Sequence, residues 1–73
     1  MTQEQARQEA ERRINSTIGL GFDISVQINL ISINREIDLC IFFYNISISY
    51  IMRMHIQDKL QDLNQIKDEL LKM

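Results

Sequence analysis

The sequence predicts an α+β fold in which a helix, a long antiparallel β-hairpin and a second helix follow in the order αββα, completed by self-association. Three observations point there. From Phe22 the apolar residues Ile24, Val26, Ile28 and Leu30 alternate with Asp23, Ser25, Gln27 and Asn29. A later stretch repeats the alternation, with Tyr44, Ile46, Ile48 and Tyr50 separated by Asn45, Ser47 and Ser49. The flanking segments lose this period and carry apolar residues three and four apart. Period two is the signal of a half-buried strand, and a period near 3.6 is that of an amphipathic helix.

The first helix is expected at about 2–17. Thr2 and Gln5 have the spacing of a capping box, and Gln, Glu, Ala and Arg fill the segment with good helix formers. Its apolar stripe is thin, resting on Ala6, Ala10 and Ile14, so it buries little on its own. Gly19 and Gly21 suit a helix end and a change of direction. This Gly-x-Gly precedes the predicted strand rather than following it, which is the wrong order for a phosphate loop.

Strands are expected at about 21–33 and 37–50, joined at Asn34, Arg35 and Glu36. A three-residue loop there sets Ile33 opposite Ile37, Leu30 opposite Cys40, Ile28 opposite Phe42 and Val26 opposite Tyr44, gathering the even apolar residues on one face. Near the tip, Ile31, Ile33, Ile37, Leu39, Ile41 and Phe43 then make the second face apolar as well. A two-stranded ribbon of roughly 40 Å is not independently stable, and a tip apolar on both sides needs outside cover. Those six residues are therefore the predicted oligomer interface.

The last helix is expected at about 52–72, with Met52, Ile56, Leu60, Leu63, Ile66, Leu70 and Met73 on one stripe. It resembles a short a/d seam, fit either to pack on the rest of the chain or to pair with another helix. The whole chain, residues 1–73, reads as a single domain.

Composition narrows the function. With 73 residues the chain sits where one core is marginal without disulfides, metal or oligomerisation. Cys40 is the sole cysteine, so no intramolecular disulfide can form, and no cluster of metal ligands is spaced for a site. No cofactor is expected, and a cytoplasmic location is, given a polar N-terminus and a single thiol. A net charge of −2 argues against nucleic acid by bulk charge. The uncharged run Leu39–Met52 falls short of the roughly 20 residues a membrane span needs.

Two side-chain groups invite chemistry. His55 lies one and two turns from Asp58 and Asp62, but no Ser or Cys nucleophile stands at a readable spacing, so an enzyme is not expected. Arg7, Arg12 and Arg13 are interleaved with Glu4, Glu9 and Glu11, the pattern of a solvated face. The leading reading is a small non-enzymatic, self-associating interaction protein that binds or modulates another protein, as accessory factor, inhibitor or assembly subunit. The second is an oligomer contacting nucleic-acid phosphate, or a partner, through Arg7, Arg12 and Arg13. The third is a membrane-associated oligomer using the apolar tip.

Overall fold

In the computed structural model, which describes residues 1–73, every regular element is helical. Helix α1 spans Gln3–Thr17 and runs into a single 3-10 turn at Ile18–Leu20, α2 spans Phe22–Ile46, and α3 spans Tyr50–Lys72. The αββα expectation fails at its centre. The β-hairpin with strands at about 21–33 and 37–50 does not form, and one 25-residue helix runs through the expected turn at Asn34–Glu36.

The reason lies in the segment's surplus of apolar residues, which satisfies two periods at once. The alternation Phe22, Ile24, Val26, Ile28, Leu30 coexists with a helical stripe of Val26, Leu30, Ile33, Ile37 and Cys40, and it is this stripe that faces the core. The Asn34–Glu36 segment has no glycine to set a tight turn, and all three residues are compatible with a helix. β-branched residues lose only up to about 0.7 kcal/mol each in a helix, a preference that packing overrides. In return the helix makes its hydrogen bonds locally: 53 of 59 backbone bonds lie within the helices. A ribbon would have left two unpaired edges and an uncovered apolar face.

Each helix end has a local cause. At α1, the Thr2 hydroxyl accepts from the Gln5 amide at 3.1 Å, and the Gln5 side chain accepts from the Thr2 amide at 2.9 Å. Between α1 and α2 the chain reverses at Gly21, whose φ of 97° and ψ of 148° form a region a Cβ makes costly by about 1–3 kcal/mol. Its amide donates to the Ile18 carbonyl at 3.0 Å, closing the 3-10 turn. Between α2 and α3, the Ser49 hydroxyl caps α3 by accepting from the Met52 amide at 3.4 Å. Arg53 ties this turn down: its Nε donates to the Ser47 carbonyl at 2.8 Å, and its guanidinium lies 5.7 Å from the Tyr44 ring centre.

Helices α2 and α3 form an antiparallel hairpin, and α1 lies along one half of it. At 1.5 Å per residue α1 is about 22 Å long, against about 37 Å and 35 Å for its neighbours. The core sits where all three meet: Ala6, Ala10 and Ile14 from α1, Ile33 from α2, and Leu63, Ile66 and Leu70 from α3. The two alanines let α1 approach closely. Beyond that core the α2–α3 hairpin continues as a bare pair, giving extents of 42 × 22 × 17 Å. The radius of gyration is 13.4 Å, above the roughly 11 Å of a compact 73-residue chain.

Candidate interaction surface

The covered half of the hairpin is organised by two polar residues. Ser25, fully buried, donates its hydroxyl to the Ile14 carbonyl at 2.9 Å and pairs with the Thr17 hydroxyl. Asn29 Nδ2 reaches the Arg13 carbonyl at 3.2 Å, the Thr17 hydroxyl at 3.1 Å and the Ser25 carbonyl at 2.8 Å. The carbonyls of the last turn of a helix lack partners within it, and α2 supplies donors to those of α1. The strand reading placed Ser25 and Asn29 on a solvated face. Their i, i+4, i+8 spacing with Ile33 was the signal that they share its buried helical face.

The open half presents apolar surface on two sides. Between α2 and α3, past the reach of α1, lies a groove of about 810 Å³. Leu39, Phe43 and Ile46 line its α2 wall, Met52 and Ile56 its α3 wall, and Ile48 its end. On the outward side of α2, Ile24, Ile28, Ile31, Leu39, Phe42 and Ile46 are each between 39% and 61% exposed. Contiguous apolar surface of this kind marks an interaction site on a folded chain.

The six residues expected to form the oligomer interface are divided by the helix. Ile33 is fully buried inside the chain's own core and Ile37 packs against that core half-buried. Ile31, Leu39, Ile41 and Phe43 remain exposed. A strand would have put all six on one face, whereas 100° per residue scatters them around α2.

The three arginines of α1 are each engaged. Arg7 pairs with Glu4 at 2.6 Å and with Glu11 at 3.3 Å, Arg12 pairs with Glu9, and Arg13 bridges Glu9 and Glu36, both at 3.2 Å. Hydrogen bonds from Arg7 hold the Glu4 carboxyl below its ordinary value, and those from Arg12 and then Arg13 do the same for Glu9. Their partners move the other way, with Arg7 raised by Glu4 and Arg12 by Glu9. His55 sits in the α2–α3 groove, whereas Asp58 lies on the opposite, polar face of α3 and Asp62 pairs with the N-terminal ammonium at 2.8 Å. No three His, Cys, Asp or Glu side chains converge as metal ligands would. No helix is long and apolar enough to cross a membrane.

Fold and surface together define a small three-helix protein whose hairpin is covered over only half its length. In comparisons with known proteins, no family model matches the chain, and neither a curated protein nor a solved structure matches it.

Proposed function

We propose that the chain is a non-enzymatic helical assembly module that works as an oligomer of itself, a second copy covering the apolar surface that α1 leaves open. The observation that carries this reading is the imbalance between core and surface. Seven apolar residues are buried, while large apolar side chains along α2 and the start of α3 stay exposed. A folded monomer of 8.7 kDa is expected to expose about 4,700 Å², and this chain exposes 5,221 Å². Chains of this size commonly make up such a deficit by association, since they hold too few residues to enclose a second core.

The polar features support binding rather than catalysis. The one histidine of the groove makes no hydrogen bond with the Glu36, Cys40, Ser47 or Ser49 that line the groove with it. The guanidiniums of α1 are matched by carboxylates, which weakens the case for phosphate contact. Light scattering on the purified chain, read across a wide range of concentration, tests the proposal. A mass at least twice 8.7 kDa is expected, and a mass that stays at 8.7 kDa throughout would overturn it.

A further inference from the structure

The outward face of α2 has a symmetry that goes beyond a general apolar surface. Its stripe runs Ile24, Ile28, Ile31, Arg35, Leu39, Phe42, Ile46, and the successive steps are four, three, four, four, three and four residues. That series reads the same in both directions from Arg35. At 3.6 residues per turn, all seven fall within about 40° of the direction of Arg35, on the side of α2 away from Ile33. Neither Arg35 nor Asp38, one turn further on, has an ion-pair partner within the chain.

We infer that two copies of this chain dock through α2 in antiparallel fashion, with Arg35 on the two-fold axis; this rests on the self-association proposed above and gives it a geometry. A two-fold interface uses one patch twice, so the patch must be complementary to its own rotated image. The mirrored spacing meets that requirement. Ile31 lies against Leu39 of the second copy, Ile28 against Phe42, and Ile24 against Ile46, each pair formed twice. Six half-exposed apolar side chains per copy along a 25-residue helix supply the apolar centre that such an interface needs.

The helix dipoles select the antiparallel over the parallel arrangement, since it sets the N-terminal end of each α2 beside the C-terminal end of the other. Run antiparallel, the two Arg35 side chains meet at the axis, and the Asp38 of each facing helix lies within one turn to offset their like charge. Run parallel in register, the dipoles would align and Phe42 would face Phe42, crowding the largest side chains. One flank of the stripe is polar, with Gln27, Asn34 and Asn45, as the rim of an interface is, while the other carries Ser32 and Phe43 and opens onto the α2–α3 groove.

Cross-linking of the full chain tests this, with Cys40→Ala removing the native thiol throughout. Arg35→Cys, treated with a bis-maleimide short enough to join only neighbouring thiols, is expected to run at twice the chain mass on a denaturing gel. Ile31→Cys and Leu39→Cys are each expected to stay single when treated alone and to cross-link when mixed. Asn64→Cys, on the polar face of α3, is expected to stay single and sets the background. Cross-linking of Ile31→Cys alone would overturn the antiparallel arrangement in favour of the parallel one. A chain dimeric by light scattering whose Arg35→Cys variant stays single would overturn this interface and leave self-association standing. A monomeric chain would overturn both and assign the face to a different occupant.

Discussion

Asn29 shows how one side chain can hold two helices. Its amide donates to the Arg13 carbonyl, the Thr17 hydroxyl and the Ser25 carbonyl, so it joins the end of α1 to the second turn of α2. Removing it takes one donor from the Arg13 carbonyl, which still accepts from the Ser16 hydroxyl at 2.7 Å, so the cost is that of a lost hydrogen bond, about 0.5–1.5 kcal/mol. Asn29→Ala is therefore expected to lower the urea midpoint at unchanged slope, and a midpoint equal to the parent's would mean water replaces the amide without loss. At this scale the sequence was partly legible. Ala6, Ala10 and Ile14 lie on the predicted stripe of α1 and are buried. Ser25 and Asn29 were misread because a polar side chain between apolar neighbours signals an exposed strand position. Only the choice of period decides whether it faces water or another helix.

Among the elements, α1 and α3 could be read and α2 could not. Thr2 and Gln5 mark the start of α1, and from Ile56 onward the apolar positions of α3, Leu60, Leu63, Ile66 and Leu70, keep to the helical period. In α2 apolar residues occupy nearly every direction, so pattern alone cannot separate strand from helix, and the missing turn glycine was the better guide. The same elements differ in how they are held. Helix α1 buries only two alanines and one large apolar side chain, and its surface is laced with ion pairs from Glu4 and Glu9. Both carboxyls are depressed below 4.5 in the folded chain, by hydrogen bonds from Arg7 and Arg12 respectively. A depressed folded value means the stabilisation is present above the unfolded carboxyl range and is lost as pH falls through the folded values. The amides of α1 are thus expected to lose hydrogen-exchange protection below about pH 4.5, where those carboxyls begin to protonate, before those around Ile66 do. Equal loss in α1 and α3 would show that the helices are held as one unit instead.

For the molecule as a whole, the deciding quantity is apolar surface that the chain cannot enclose. Changing the fold from hairpin to helices moves that surface without removing it. Ile33 and Ile37 go inward, Ile31 and Leu39 stay out, and Ile24, Ile28, Phe42 and Ile46 join them along the outer side of α2. The cause is the abundance of apolar residues in a chain too short to wrap them, whichever period they adopt. If folding and association are coupled, each tenfold rise in chain concentration adds about 1.4 kcal/mol to the stability of a dimer. Two 73-residue chains unfold with an entropy near 2.1 cal/mol/K per residue, so the thermal midpoint should climb by about 5 °C per decade of concentration. Ile31→Asp places a charge in the α2 face but touches nothing in the core. It should abolish that concentration dependence and lower the midpoint, whereas Ile33→Ala, which empties the core, should lower the midpoint by removing about 2–5 kcal/mol and keep the dependence. A parent midpoint that stays constant across concentrations would mean that the three helices are stable without a second copy, and the exposed face of α2 would then contribute nothing to folding.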